Sequence, residues 1–264
     1  MSVITQKIGK LEYLTAEGID TPHCFTTRFG GVSAGIFDSM NIAVKEGEWD
    51  ENVRENLTIL GSALGFRLED IIATRQTHSD IVRVVTRADH RGPFHRDYPE
   101  CDGLVTNEPG LALLIYTADC TPLLFHDPVT GTVGAAHAGW RGTVAGIGAK
   151  VVEAMVEHFG CDPGNIRAAI GPNIGGCCFE TDADVPQAIL AAYGPEAEQY
   201  IRPVGPKYYV NLKEINALSL RRAGVARIDI SDDCTACQPS RFWSHRVTQG
   251  RRGSQGAVIV CKEG

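Results

Sequence analysis

The segment from 117 to 143, TADCTPLLFHDPVTGTVGAAHAGWRGT, constrains the fold more than any other part of the sequence. Two apolar runs, 121–126 and 132–137, lie on either side of the turn-forming residues Asp127-Pro128-Val129-Thr130-Gly131. Proline suits the first turning position of such a segment, and glycine suits a position with left-handed backbone. The two runs are therefore predicted to pair as an antiparallel hairpin.

This hairpin brings two metal-capable side chains together. The midpoint of positions 120 and 137 falls inside the turn, so Cys120 and His137 are predicted to lie directly opposite each other or one diagonal step apart. Either register places both on one face, whereas a slip of one residue would place them on opposite faces. A thiolate and an imidazole on one face suit zinc, with copper as the alternative on ligand type.

The best third ligand is His78, in the segment TRQTHSDIV. Polar residues precede an apolar strand there, and a side chain at such a boundary can project into a cleft. His126 lies at the far end of the hairpin, and His158 lies on the polar side of a helix. The sequence thus suggests a site of His78, Cys120 and His137 with a fourth position open, while a plain packing role for a single His or Cys near a strand end also stays open.

Two other uses of the cysteines compete with this site. A structural zinc site would use Cys234 and Cys237 together with the adjacent pair Cys177-Cys178. A closed site normally needs two separated ligand pairs, and adjacent cysteines are poorly placed to chelate one tetrahedral ion. Redox chemistry by the single CxxC motif is equally disfavoured, because no thioredoxin-like βαβ context surrounds it.

Size and charge limit the class of protein. The chain has 264 residues, 43% of them hydrophobic, and no repeat or linker, so we expect one α/β domain over 1–264. A net charge of -7 disfavours nucleic acid and anionic lipid as partners. No membrane span or signal peptide is evident, so we expect a cytoplasmic protein. We expect it to be a monomer or a homodimer. The odd number of cysteines, 9, favours ligation or burial over disulfides.

The secondary structure is predicted to mix helices and strands irregularly, which argues against a simple Rossmann or barrel repeat. Apolar spacing predicts helices over 51–64, 143–159, 182–193 and from 211 to just before 224. Asp50 is the expected N-cap of the first, and Asn211 with Glu214 a capping box for the fourth. Gly146 and Gly148 weaken the second helix. Strands are predicted over 81–85, 111–117, 121–126, 132–137, 227–231 and 256–260.

Taken in order, several segments of the chain resemble the YfiH family, also called the multicopper polyphenol oxidoreductase or laccase-like family. They are TTRFGGVSAGIFDSMNIA, QTHSDIV, CDGLVT, TADCTPLLFHD, GAAHAGWRGT, AIGPNIGGCCFE and CTACQPSRFWSHR. The resemblance implies a compact, layered α/β sandwich with a mixed sheet. It also implies a metal site formed by His78, Cys120 and His137.

The resemblance implies an activity as well. Members phosphorolyse the purine nucleosides adenosine, inosine and methylthioadenosine with inorganic phosphate, and they deaminate adenosine. Copper-dependent phenol oxidation is also attributed to the family. A blue-copper laccase needs several copper centres and many histidines, so the one three-ligand site fits zinc better. Zinc with three protein ligands activates a bound water, which is the chemistry that deamination needs.

Further roles are assigned to polar residues in or beside the matched segments. Asp102 and Asp119 are candidates for proton transfer, and Asp119 is alternatively a group that orients a metal ligand. The candidates for substrate contacts are Arg28, Arg75 and Arg141 for phosphate or base, and Asn41 and Gln76 for ribose or purine.

Three other functions stay open. Cys120 as nucleophile with His137 as base would make a hydrolase, which could edit peptidoglycan precursors as some proteins of the family are proposed to do. A copper-dependent polyphenol oxidase is the second possibility. The third is a binding module that the metal only stabilises.

Overall fold

The computed structural model describes residues 2–92, 94 and 99–262, and these residues contain fifteen strands and six α-helices. The strands are β1 (Val3–Ile8), β2 (Leu11–Ala16), β3 (His23–Thr26), β4 (Ile71–Ala73), β5 (Val82–Val84), β6 (Gly103–Thr106), β7 (Ala112–Thr117), β8 (Thr121–His126), β9 (Val133–Ala138), β10 (Arg167–Ile170), β11 (Glu180–Thr181), β12 (Ile201–Val204), β13 (Lys207–Val210), β14 (Arg227–Ile230) and β15 (Gln255–Val260). The helices are α1 (Asp50–Leu64), α2 (Trp140–Val144), α3 (Ile147–Phe159), α4 (Asp184–Tyr193), α5 (Leu212–Arg222) and α6 (His245–Thr248). None of the helices in the described ranges is long and apolar enough to cross a bilayer.

Two large mixed sheets form the centre of the fold. The first has the strand order β1-β2-β3-β15-β7-β4, and the second has the order β14-β10-β8-β9-β6-β5. Within these sheets the pairs β4–β7, β5–β6 and β10–β14 are parallel and the other neighbours are antiparallel. A small third sheet has the order β11-β13-β12. The predicted α/β class with a mixed sheet is confirmed.

The two large sheets pack face to face, and helices cover their outer faces. Leu113 and Ile115 of β7 meet Leu124 of β8 and Ala135 of β9 in the buried layer between the sheets. Helix α1 packs on the outer face of the first sheet, and α3 and α5 pack on the outer face of the second. The side chains of a strand alternate between two faces, so each central strand contributes to two apolar layers. The result is an α/β/β/α sandwich.

The helix predicted over 143–159 is broken in two. Gly146 has a φ of 75°, which is left-handed and ends the helical path between α2 and α3. Gly148 continues α3, and a Cβ there would lie 3.1 Å from a side-chain carbon of Leu123. Gly146 therefore interrupts the helix, and Gly148 allows α3 to pack closely on the sheet. Gly160, with a φ of 67°, ends α3 as expected.

The other predicted elements are present with small differences. Helix α1 starts at Asp50 itself, so Asp50 lies in the first turn and not at the N-cap. The capping box at α5 is wrong, because the Asn211 side chain makes no capping hydrogen bond. All six predicted strands occur within one residue at each end. The strand β2, LEYLTA, was not predicted because its Leu, Glu and Ala favour helix as readily as strand.

We predict that replacing Leu57 destabilises the sandwich strongly. Leu57 is fully buried where α1 meets the first sheet, so Leu57→Ala should lower the free energy of unfolding by about 2–5 kcal/mol. Urea denaturation measures the change. Val156 on α3 is 39% exposed to solvent, so Val156→Ala should change the free energy of unfolding by less than about 0.5 kcal/mol. Equal losses in the two variants would contradict this packing.

Candidate metal centre

The hairpin of β8 and β9 has the diagonal register. Thr121 pairs with Ala138, and Pro122 pairs with His137. Cys120 directly precedes β8, so the same register places it opposite Gly139, one diagonal step from His137. Cys120 and His137 therefore share a face, as predicted, and it is the face that looks toward the first sheet.

His78 joins this pair from the loop between β4 and β5. Its φ of 60° is left-handed, which turns the side chain toward the hairpin. The His78 Nε2 lies 3.8 Å from the Cys120 Sγ, and the centroids of the two imidazole rings of His78 and His137 are 4.9 Å apart. One ligand atom of each of the three residues lies within 4.8 Å of the others, an arrangement that could hold a metal ion.

Asp102 forms hydrogen bonds with two of the three residues, His137 and His78. It is fully buried just before β6, and its Oδ1 is 2.7 Å from the His137 Nδ1. The same carboxylate accepts hydrogen bonds from the backbone N–H groups of Thr77, His78 and Ser79 and from the Ser79 hydroxyl. Asp102 therefore fixes the His137 ring, leaving Nε2 for a metal, and holds the His78 loop against the hairpin.

The ionisation of Asp102 agrees with this bracing role. Burial alone would raise its pKa, but hydrogen bonds from His137, Ser79 and Thr77 outweigh burial and lower the pKa to about 2. Both carboxylate oxygens accept hydrogen bonds from these groups. A carboxylate held in this way orients its neighbours, and its low pKa makes it a poor proton carrier near neutral pH.

The thiol of Cys120 is tuned toward its thiolate form. Burial would raise its pKa, but the neighbouring His137 and His78 lower it to about 6. Burial would lower the pKa of His137, but Cys120 and Asp102 raise it to about 9. Both shifts favour a thiolate at Cys120 beside a protonated imidazole at His137. The thiolate is the form of cysteine that binds metals and acts as a nucleophile.

The donor set and the space around it fit a metal ion. One sulfur and two imidazole nitrogens resemble the three-ligand sets of catalytic zinc, in which the fourth position stays open. Gly139 provides the room: a Cβ there would lie 2.7 Å from the His78 Cδ2 and 3.3 Å from the Cys120 Sγ. Any larger residue would push His78 away from Cys120.

Asp119 anchors the loop that carries Cys120. It has a left-handed φ of 85° and is buried. Its carboxylate accepts hydrogen bonds from the Thr235 hydroxyl at 2.6 Å, the Ser244 hydroxyl at 3.1 Å and the Arg246 backbone N–H at 2.7 Å. These contacts favour the interpretation of Asp119 as an orienting group over that of a proton shuttle.

Two of the five residues that were expected to contact the substrate, Arg28 and Asn41, form hydrogen bonds within the protein. The Arg28 guanidinium donates to the backbone oxygens of Asp38 and Pro239 and stacks 4.0 Å from the centroid of the Trp243 ring. Asn41 is fully buried, and its amide donates to Ala43 and Glu48 and accepts from the backbone N–H groups of Ala43 and Ser254. Asn41 therefore has its hydrogen-bonding capacity filled within the protein.

The other three residues, Gln76, Arg75 and Arg141, differ in how many contacts their side chains make within the protein. The Gln76 amide pairs with both backbone groups of Tyr116 on β7 and so extends the first sheet. Arg75 is exposed and forms an ion pair with Glu100 at 3.4 Å. Arg141 is exposed at the start of α2, directly after the strand that carries His137, and its guanidinium stacks on Trp140. Arg141 is thus the best placed of these three to meet a ligand.

Sequence reasoning missed Arg252. This partly buried arginine interacts electrostatically with Asp119 and Cys120, and burial lowers its pKa despite them. Its Nε is buried without a hydrogen-bond partner among the described residues. Lys45 is close enough for Arg252 to help burial lower the lysine pKa to about 8. The available signal was the polar segment RRGS directly before β15, the same kind of strand boundary that pointed to His78.

The chain is similar to known proteins over most of its length. A family model described as multi-copper polyphenol oxidoreductase laccase matches residues 22–262. Purine nucleoside phosphorylase YlmD of Bacillus subtilis is 38% identical over 245 residues, which cover 90% of this chain and 88% of that protein. Purine nucleoside phosphorylase YfiH of Escherichia coli is 34% identical over 88% of this chain and 91% of its own length. The crystal structure of YlmD from Geobacillus stearothermophilus superposes with a TM-score of 0.91 at 35% identity and covers 99% of this chain and 100% of that one.

We predict that Gly139→Ala removes metal without unfolding the protein. The added methyl group would collide with the His78 ring, and the backbone at 139, with a φ of -65°, accepts alanine without strain. Elemental analysis after gel filtration should find metal lost from this centre, while circular dichroism stays unchanged. Gly164→Ala is the matched control, because its Cβ would make only an ordinary contact at 3.4 Å. Full metal content in Gly139→Ala would contradict the assignment of His78 as a ligand.

Proposed function

Because this chain belongs to the multi-copper polyphenol oxidoreductase laccase family, we propose that it is a metal-dependent purine nucleoside phosphorylase. The observation that carries the proposal is the group His78, Cys120 and His137, three ligands braced by Asp102. The names of the relatives from Bacillus subtilis and Escherichia coli support a purine nucleoside and phosphate as the substrates.

The finer assignment names the metal and the substrates. Zinc is the proposed metal, since one thiolate and two imidazoles suit it and leave a position open. When bound, zinc supplies Lewis acidity that polarises an atom of the substrate. Adenosine, inosine and methylthioadenosine are the proposed nucleosides, with deamination of adenosine as a second activity. The proposed compartment is the cytoplasm, where the nine free thiols suit a reducing environment.

The protein's own residues would contribute mainly by position. Asp102 holds the His137 ring in one orientation and ties the His78 loop to the same carboxylate. Asp119 holds the backbone beside Cys120 through its contacts with Thr235 and Arg246. Groups fixed in this way lose little further freedom when substrate binds, which favours a productive geometry.

Phosphate is assigned to Arg252 and Lys45. Both side chains are partly buried, and the electrostatic repulsion between them helps lower the pKa of Lys45. An inorganic phosphate would relieve that repulsion and would offer acceptors to the unpartnered Arg252 Nε. The electrostatic interaction of Arg252 with Cys120 supports a phosphate position near the proposed metal ligands. Arg141 is assigned to the nucleoside because it is exposed beside the same strand end.

A specific arrangement also favours a second candidate function. Cys120, His137 and Asp102 follow one another as a nucleophile, a base and a group that orients the base would, and the pKa of Cys120 is lowered to about 6. This arrangement suits a cysteine-type hydrolase, and the family resemblance suggests a peptidoglycan precursor as its substrate. A copper-dependent polyphenol oxidase has less support, because a laccase needs several copper centres.

Incubation of metal-analysed protein with adenosine, with and without phosphate, tests the proposed function. Adenine and ribose 1-phosphate should appear only when phosphate is present, and inosine should appear as the product of deamination. Chromatography of the nucleosides and bases follows adenosine, adenine and inosine, and the consumption of inorganic phosphate measures the ribose 1-phosphate formed. No turnover of adenosine, inosine or methylthioadenosine by the zinc-loaded protein would overturn the proposal.

Cys120→Ser separates the phosphorylase from the hydrolase. As a ligand variant it should lose metal from this centre, and kcat/KM for phosphorolysis should fall more than about 100-fold, since even outer-shell partners typically cost 10–100-fold. Cys161→Ser changes a buried thiol at another place and should keep both metal and activity. If Cys120→Ser keeps its metal but loses activity, Cys120 is a nucleophile and the hydrolase is favoured.

We expect Arg252→Met to weaken phosphate binding selectively. Methionine keeps much of the buried side-chain volume but removes the charge, so KM for phosphate should rise by about tenfold or more, equivalent to about 1.4 kcal/mol. KM for adenosine should change little, and steady-state kinetics at varied phosphate measures both. Arg227→Met, at an exposed position of β14, is the matched control. An unchanged KM for phosphate would exclude Arg252 from the phosphate site.

A further inference from the structure

A second cluster of metal-capable side chains lies outside the centre described above. It consists of Cys177, Cys178, Cys234 and Cys237, whose sulfur atoms all lie within 4.8 Å of one another. The Cys237 Sγ is 3.5 Å from that of Cys177 and 3.3 Å from that of Cys178. All four are free thiols, since these separations are well beyond a disulfide bond. We refer to them as the four-cysteine cluster.

The adjacent pair Cys177-Cys178 joins the cluster because it lies in a turn. Adjacent side chains of a strand point to opposite faces, which is why the sequence disfavours this pair as ligands of one ion. Here the backbone N–H groups of Cys178 and Phe179 both donate to the Gly175 carbonyl, so the chain curls around that residue. A Cβ at Gly175 would lie 3.2 Å from the Cys177 Sγ and 3.3 Å from the Cys234 Cβ, so glycine makes room for the sulfurs.

The CxxC segment meets this turn through hydrogen bonds to sulfur and backbone. The Gly175 backbone N–H donates to the Cys234 Sγ at 3.1 Å, and the Thr235 N–H donates to the Asn173 carbonyl at 3.0 Å. The Lys213 ammonium donates to the backbone oxygens of Ser231 and Asp233 and so stabilises the loop that leads into the CxxC segment. An N–H group aimed at a cysteine sulfur favours its thiolate, the form in which cysteine binds metals.

We propose that the four-cysteine cluster binds one zinc ion as a closed structural site. A tetrahedral set of four sulfurs is typical of zinc. A Zn–S bond of about 2.3 Å places the sulfurs about 3.8 Å apart in a tetrahedron, and the observed separations need only small shifts to reach it. With four protein ligands no position is open for substrate, so this zinc holds structure and does not take part in the reaction.

The zinc would fix the segment that anchors Cys120. Thr235, which lies between Cys234 and Cys237, donates its hydroxyl to the Asp119 carboxylate. Ile174, next to Gly175, donates its backbone N–H to the Asp119 carbonyl at 2.9 Å. The two segments that carry the four-cysteine cluster therefore both contact Asp119, the residue that precedes Cys120. Tying the two halves together stabilises the position of Cys120 from outside the reactive centre.

Zinc counting in separate variants tests this site independently of the proposed function. Inductively coupled plasma mass spectrometry of zinc-loaded, gel-filtered protein should find two zinc ions per wild-type chain. The double variant His78→Ala/Cys120→Ser should keep one, and Cys234→Ser/Cys237→Ser should lose one. Cys161→Ser, a buried cysteine outside both clusters, should keep two. A failure of adenosine phosphorolysis would leave this count unchanged, so the two proposals fail separately.

Cobalt substitution in His78→Ala/Cys120→Ser covers the case in which the cysteine variant does not fold. Its spectrum should have the strong sulfur-to-cobalt absorption of a tetrathiolate site, and X-ray absorption of the zinc form should find sulfur neighbours alone. A zinc count of zero in this folded variant would overturn the proposal. So would iron in place of zinc, or a mass lower by two hydrogens that marks a disulfide between these cysteines.

Discussion

The contact between the buried Asp102 carboxylate and the His137 ring is the interaction on which the centre depends. Asp102 directly precedes β6, His137 lies near the end of β9, and these neighbouring strands bring the two side chains together. The same carboxylate gathers the backbone N–H groups of the loop around His78. One buried charge thus sets the orientation of one imidazole and the approach of the other. Its burial is tolerated because its oxygens are satisfied by hydrogen bonds.

Backbone strain at two positions is held by these polar contacts. His78 and Asp119 both have left-handed φ angles, which cost about 1–3 kcal/mol for residues other than glycine. The hydrogen bonds to Asp102 offset this cost at His78, and those from the segment around Thr235 and Arg246 offset it at Asp119. One of these residues contacts Cys120 through its side chain and the other directly precedes it in the chain.

The parts of the site that were predictable from sequence depend on local geometry. The turn between β8 and β9 fixed the faces of Cys120 and His137, because side chains of a hairpin alternate with a period of two. The His78 ligand came mainly from a family resemblance, since nothing in its spacing relates position 78 to position 120. The break at Gly146 was only partly foreseen, because a glycine within a helical pattern is compatible with both a break and close packing.

The remaining features depend on contacts between distant segments. The four-cysteine cluster unites residues about 60 positions apart, and the turn at Gly175 that aligns its adjacent pair has no strong sequence signature. The approach of Arg252 to Cys120 likewise requires β15 to pair with β7 in the first sheet. Asn41 and Gln76 were expected at a substrate, but a polar residue in a glycine-rich loop serves equally well as an internal brace, and the sequence does not distinguish the two.

The three candidate metal ligands come from segments that meet only after the strands have paired and the loops have made their contacts. The hairpin alone provides Cys120 and His137, whereas His78 arrives with the loop between β4 and β5, which bridges from the first sheet to the second. An unfolded or half-assembled chain therefore has no such three-ligand site to offer. Binding of a metal ion to these three residues would therefore be coupled to folding and would favour the fully assembled sandwich over partly folded chains. A chain that has not brought all three side chains together would bind such an ion more weakly than the folded protein.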